Sequence, residues 1–265
     1  MTRLTPTFAA LKKQGRRAFV PFIMAGDPNL EASEELLFAL PDAGADIIEL
    51  GFPFTDPMAD GPIIAEAGQR ALQAGQSLEA TMGMVKRFRA AGHETPVVLM
   101  GYANPVLQYG EAFAADAVGA GADGLILVDL PPEESAALDE QAADAGLSVI
   151  RLATPTTRDD RIDAVLQRAT GFLYYVAVAG VTGDRSAASG ELGDAIARLR
   201  TKTSLPIAAG FGIKDASSAK DAAQHADAVV VGSAIVKAHE LGGKDAALAL
   251  ARDIASGVHQ VESAQ

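Results

Sequence analysis

Cysteine is absent from the 265-residue chain, which excludes disulfides, thiol nucleophiles and thiolate metal sites. Histidine is sparse. His93, His225, His239 and His259 are scattered with no two at helical ligand spacing, so an imidazole metal site lacks its ligands, and no Ser-His-Asp machinery is visible. No metal and no cofactor are expected. Positive charge is in deficit: 22 Lys and Arg face 34 Asp and Glu, giving a net charge of -12 and a pI near 4.7. Nucleic acids and anionic membranes need clustered Lys and Arg, so neither is an expected partner. Long apolar runs are missing too. No segment approaches the ~20 residues of a membrane span, and Met1 to Gln14 lacks a signal-type apolar stretch, so a cytoplasmic protein is expected.

What the chain does have is alternation. Short apolar runs that read as buried strands occur at Phe19–Met24, Ile47–Leu50, Val97–Met100, Gly124–Val128, Ser148–Leu152, Phe172–Val176, Pro206–Ala208 and Ala228–Val231. Between them lie helical stretches such as Leu78–Ala91, with Ser77 as N-cap and Gly92 at its end, and Arg158–Ala169, with Thr157 as cap. Pro41 sits late in the Leu30–Ala43 pattern, where it should kink or end a helix. Strand and helix alternating eight times, each strand apolar on both faces, predict parallel strands with right-handed crossovers. The expected fold is α/β, a (β/α)8 TIM barrel forming a single domain over 1–265. Extra helices are expected at the N-terminus, after strand two and after strand eight. An open doubly wound sheet competes with it, but Met24-Ala25-Gly26-Asp27-Pro28 is not the Gly-rich nucleotide fingerprint.

One strand breaks the apolar rule. The sequence Ala45-Asp46-Ile47-Ile48-Glu49 recurs as Ala122-Asp123-Gly124-Leu125-Ile126 and Ala226-Asp227-Ala228-Val229-Val230, which aligns Glu49 with Ile126 and Val230. Strand side chains alternate faces, so the three should point the same way, into an apolar interior. No Lys or Arg lies at the neighbouring strand ends to neutralise Glu49 by an ion pair. A carboxylate there, followed by Asp56 and Asp60 in a Pro/Gly-rich loop, is placed for chemistry. Burial should raise the Glu49 pKa and separate it from Asp60, which lets two acids play different parts.

The other end of the cleft reads as a phosphate site. Barrels of this kind often hold phosphate in the loops after strands seven and eight. Here those loops are Ala209-Gly210-Phe211-Gly212-Ile213 and Gly232-Ser233-Ala234-Ile235-Val236-Lys237, the second able to begin a short helix. Glycines admit backbone N–H groups to an anion, and Ser233 adds a hydroxyl. Gly183 belongs to the Val178–Gly190 loop after strand six, whose Gly, Ala and Ser content reads as a lid.

Taken together, Glu49 to Pro62, Tyr102-Ala103-Asn104-Pro105, Asp129 to Glu134, Gly180-Val181-Thr182-Gly183, Gly210-Phe211-Gly212-Ile213 and Val231-Gly232-Ser233-Ala234 resemble the tryptophan synthase alpha subunit family, from about Phe8 to Lys237. The resemblance implies retro-aldol cleavage of indole-3-glycerol phosphate to indole and glyceraldehyde 3-phosphate. It also implies transfer of the indole to a pyridoxal-phosphate-dependent beta subunit in an alpha2-beta2 complex. By the same resemblance Glu49 moves protons and Asp60 accepts the indole N–H. Phe22, Met100, Tyr102, Ile126, Leu152, Tyr174, Phe211 and Val230 would form the indole pocket. Gly183, Gly212, Gly232 and Ser233 would hold phosphate. Thr182 would meet Asp60 when the lid closes, and Asp56, Pro57, Asn104 and Pro131 would face the beta subunit. Family members commonly have serine near position 177, where this chain has Ala177.

Three alternatives compete. Another phosphosugar barrel, such as an indole-glycerol-phosphate synthase or a phosphoribosyl isomerase, fits the phosphate loops but not the Glu49 to Asp60 segment. It would carry a catalytic lysine or aspartate at other strand ends. A stand-alone indole-releasing lyase needs no partner. A non-catalytic regulatory partner has no reason to keep both Glu49 and Asp60.

Overall fold

All eight apolar runs become parallel strands. The computed structural model describes residues 2–177, 185–210 and 212–261. In chain order β1 is Ala18–Met24, β2 Ile48–Gly51, β3 Val97–Gly101, β4 Gly124–Leu127, β5 the two pieces Ser148–Val149 and Arg151–Ala153, β6 Leu173–Val176, β7 Ile207–Gly210 and β8 Ala228–Val231. Each strand pairs with its sequence neighbours and β8 returns to β1. The first piece of β5 pairs with β4 and the second with β6, so the ring closes through Ile150. The (β/α)8 barrel is the observed architecture.

The period of two sorts side chains into two layers of core. Val20, Ile47, Val98, Ile126, Tyr174 and Val230 pack in the lumen, while Phe19, Ile48, Leu99, Leu125, Leu173 and Val229 face the surrounding helices. Leu4, Phe8 and Leu11 of α1 (Leu4–Lys13) join the lumen cluster, with the Phe8 ring 5.8 Å from Phe172. The N-terminal helix therefore plugs one end of the barrel.

The register fixes heights inside the lumen. Glu49 pairs with Val98 and Val98 with Gly124, two residues below Ile126. Continuing round, the same climb reaches Tyr174 on β6, Val230 on β8 and then Glu49 again. Glu49, Ile126, Tyr174 and Val230 are thus one four-residue layer drawn from the even strands, as barrel geometry requires. Phe22, Met100, Leu152 and Gly210, from the odd strands, form the layer above it, nearest the open end.

The repeated Ala-Asp pair explains itself at the plugged end. Asp46 accepts the Phe19 amide at 2.9 Å, Asp123 the Val97 amide at 3.0 Å and Asp227 the Ile207 amide at 2.9 Å. Each aspartate ties its own strand to the one before it.

Helices cover the ring. α2 (Leu30–Ala39) is capped by Asn29 and gives way to a 3-10 turn at Pro41–Ala43, so Pro41 ends the helix. Both α3 (Pro62–Gln73) and α4 (Leu78–Ala90) follow β2, and the Ser77 hydroxyl caps the latter at 3.1 Å from the Ala80 amide. The sequence reading missed a helix after β3, where α5 (Ala103–Tyr109) precedes α6 (Phe113–Ala120). Pro105 is the third residue of α5, and proline is tolerated in a first turn, where no intrahelical N–H is lost. After α7 (Ala136–Ala145), α8 (Asp159–Leu166) is shorter than expected and Thr157 does not cap it; its hydroxyl accepts the Thr154 amide at 2.9 Å instead. α9 (Arg185–Arg200) takes up the last part of the loop expected at Val178–Gly190. α10 (Ala216–Ala223) precedes β8, and α11 (Ser233–His259) is broken at Gly243 (φ 68°, ψ -169°), which separates the extra helix expected after β8 from the last helix of the barrel.

Candidate active site

The open end, opposite α1, holds a cleft of about 700 Å³. Phe22, Glu49, Met100, Tyr174, Gly210 and Val230, from β1, β2, β3, β6, β7 and β8, line its floor. Glu49 is fully buried at 0 % exposure, and neither carboxylate oxygen has a hydrogen-bond partner among the described residues. Removal from water disfavours the charged form, and its pKa is pushed up to about 8. The acid therefore stands protonated at neutral pH with its proton uncommitted. Tyr174, in the same layer, has its own pKa raised by burial first and by the Glu49 charge second.

Gly210 opens the way down to that layer. A Cβ at this position would collide with the Tyr174 hydroxyl, and the absence of a side chain leaves a gap in the uppermost layer over Tyr174.

Asp60 comes from the loop between β2 and α3 and is half-buried at the cleft wall. Burial raises its pKa, and a hydrogen bond from Tyr102 partly offsets the rise. The Tyr102 hydroxyl also accepts the Ala59 amide at 3.0 Å, and its ring lies 5.3 Å from Phe54. Tyr102 lines a small recess beside the main cleft together with Phe22, Asp60 and Met100. Its pKa is pushed up to about 12, by burial before all else.

On the far wall Gly212, Gly232 and Ser233 line the cleft, and Ser233 is the first residue of α11. A helix N-terminus presents unpaired N–H groups to an anion. Two side chains that the sequence reading missed stand here as well, Lys214 and Lys237. Lys237 lies four residues beyond Ser233, on the same helix face, and that spacing was the available signal. Ile63 and Ile64, in the first turn of α3, were also missed; two adjacent apolar residues right after a Gly-Pro turn mark them.

The remaining expected residues divide. Ile126 and Leu152 sit in the two layers just described but not on the cleft surface. Phe211, Thr182 and Gly183 lie outside the described residues. Asp56, Asn104 and Pro131 are exposed and Pro57 half-buried; Asp56 and Pro57 lie on the loop after β2, Asn104 in the first turn of α5 and Pro131 on the loop after β4, all at the same open end. Among the described residues no three His, Asp or Glu side chains converge as a metal would require, and no helix is long and apolar enough to cross a membrane.

A (β/α)8 barrel with a buried acid, unpartnered among the described residues, on the floor of its open end and a helix N-terminus on the wall has the form of an enzyme with its site at that end. The family model for the tryptophan synthase alpha chain matches residues 8–264. The crystal structure of tryptophan synthase subunit alpha from Legionella pneumophila str. Paris is similar with 39% identity and a TM-score of 0.90, covering 97% of this chain and 98% of that one. Tryptophan synthase from M. tuberculosis in its aminoacrylate-bound form gives 34% identity and a TM-score of 0.88 over 98% and 100%. The chain belongs to the tryptophan synthase alpha chain family. It is a carbon–carbon lyase of tryptophan biosynthesis, cleaving indole-3-glycerol phosphate to indole and glyceraldehyde 3-phosphate, and its partner is the beta subunit.

Proposed function

We propose that Glu49 carries both proton transfers of this cleavage and that Asp60 holds the indole nitrogen. Protonated Glu49 gives its proton to indole C3, which ends the ring's aromaticity and leaves positive charge on the nitrogen. Asp60 accepts the N–H and offsets that charge. The carboxylate left on Glu49 then takes the proton of the hydroxyl on the adjoining glycerol carbon. The carbon–carbon bond breaks, its electron pair returns to the ring, and indole and the aldehyde separate with Glu49 protonated again. The observation that carries this reading is the buried, unpartnered carboxyl of Glu49, poised near pH 8 in the same cleft as Asp60.

Phe22, Met100, Tyr102, Tyr174 and Val230 enclose the indole in this reading, with Ile126 and Leu152 supporting them from within the barrel. Gly212, Gly232 and Ser233 receive the phosphate, with Gly183 joining them and Thr182 closing over Asp60. Asp56, Pro57, Asn104 and Pro131 face the beta subunit in an alpha2-beta2 complex, beside Met58 and Leu107, apolar side chains left 81% and 63% exposed. Residues 1–265 act as one domain, in the cytoplasm. Mixing the purified chain with indole-3-glycerol phosphate, with and without beta subunit, tests the whole. Indole release should be lost in Glu49→Gln and Asp60→Asn; near-normal turnover by Glu49→Gln would overturn the assignment.

A further inference from the structure

The two ends of the cleft are braced behind its walls. α3 starts at Pro62, right after Asp60 and Gly61; α11 starts at Ser233, on the phosphate wall. Arg70 of α3 reaches both the loop after β1 and α11. Its Nε donates to Asp27 Oδ1 at 2.6 Å and its Nη2 to Asp27 Oδ2 at 3.2 Å, a two-pronged grip on a carboxylate only 2% exposed. Its Nη1 donates to Glu240 Oε1 at 2.9 Å. Arg70 lies eight residues into α3 and Glu240 seven beyond Ser233, each about two helical turns, or roughly 11 Å, from the end that opens on the cleft.

Apolar packing stiffens the same joint. Ala67 and Ala71 of α3, Val236 of α11 and Phe22 and Met24 of β1 form a separate buried cluster between the helices. His239, next to Glu240, is buried with its Nε2 unpartnered among the described residues, and the Asp27 charge bears on it. Asp27 is therefore a fixed negative point against which both helices are set. Of these groups only Phe22 lines the cleft itself; Arg70, Asp27, His239 and Glu240 do not.

We propose that Arg70 is a positioning residue, a rigid bridge that makes the helix behind Asp60 and the helix behind Ser233 move as one, so that occupation of the phosphate end sets the indole end. The inference rests on the reading of these two walls as indole and phosphate subsites. A guanidinium suits the task because its planar fork holds two partners at fixed angles, which an ammonium does not. If the helices move together, ligands at the two ends must help each other by the same factor.

The test is calorimetric binding of indole to the full chain, with and without saturating glycerol 3-phosphate, an unreactive occupant of the phosphate end. In the wild type, glycerol 3-phosphate should tighten indole binding by about fivefold or more, within the range usual for coupled sites. In Arg70→Lys, which keeps the charge but not the fork, and in Glu240→Ala, which cuts only the arm to α11, that factor should fall to near one. Thermal melts check that both variants are folded. A purely structural role would weaken both ligands or lower the melting point while leaving the ratio unchanged. An unchanged ratio in folded variants, or no coupling in the wild type, overturns the bridge alone. Failure of the wild type to bind either ligand overturns the subsite reading beneath it.

Discussion

Tyr174 stands across the lumen from Glu49, in the same four-residue layer and four strands away round the ring. Glu49 has no ion-pair partner among the described residues, so the acid's proton affinity is set by burial and not by a salt bridge. Stability should register this. Glu49 titrates near 4.5 in the unfolded chain and about 8 when folded, so the folded state holds one more proton between those values. Stability contributed by this group then falls as pH rises across that window, with a limiting slope of about 1.4 kcal/mol per pH unit. Glu49→Gln removes the slope. Denaturant midpoints at pH 5 and pH 8 should show the variant gaining on the wild type at the higher pH; parallel curves would sink the assignment.

Tyr102 holds the loop that delivers Asp60. Tyr102→Phe loses the acceptor for the Ala59 amide and the donor to Asp60, so the Asp60 pKa should rise further. A hydrogen bond to a charged group is worth about 1.5–3 kcal/mol, which corresponds to roughly a tenfold to hundredfold loss of kcat/KM. Steady-state indole release checks it, and an unaltered kcat/KM would show that the loop is held by other means.

Gly210 is required by its neighbour. In Gly210→Ala the new methyl meets the Tyr174 hydroxyl, and overpacking of this kind costs about 1–3 kcal/mol. Stability and indole release should both drop. Adding Tyr174→Phe, which deletes the hydroxyl, should restore part of both. No recovery of the melting point in the double variant would place the strain elsewhere.

Lys214 and Lys237 add charge to the wall that carries Gly212, Gly232 and Ser233. Lys237→Gln and Lys214→Gln should raise KM for indole-3-glycerol phosphate severalfold with kcat nearly kept, and should flatten the rise of KM with salt, because the lost attraction is screened by ions. A kcat effect with KM unchanged would assign the lysines a different role.

Much of this was legible in the sequence because the barrel writes itself as a repeat. Eight apolar runs located the strands to within a residue or two, and alignment of the Ala-Asp pairs turned Glu49 the same way as Ile126 and Val230, which the register then sets in one layer. What stayed hidden depended on local geometry or distant partners that residue type alone does not display. Thr157 has the residue type of a cap, but its hydroxyl turns back to the Thr154 amide. Pro105 reads as a helix breaker unless the start of α5 is known. Nothing in the sequence around Arg70 marks it, and only the fold brings Asp27 and Glu240 to it, 43 and 170 residues away.

The Ala-Asp anchors have a last consequence for how such an acid is placed. Because the same pair seats β2, β4 and β8, the third residue above each aspartate is delivered to the same depth, and the barrel offers interchangeable sockets at different compass bearings. A carboxyl moved from 49 to 126 would keep its depth and lose its bearing toward the ring carbon. The fold thereby separates how strongly a buried acid holds its proton from where that proton can be delivered.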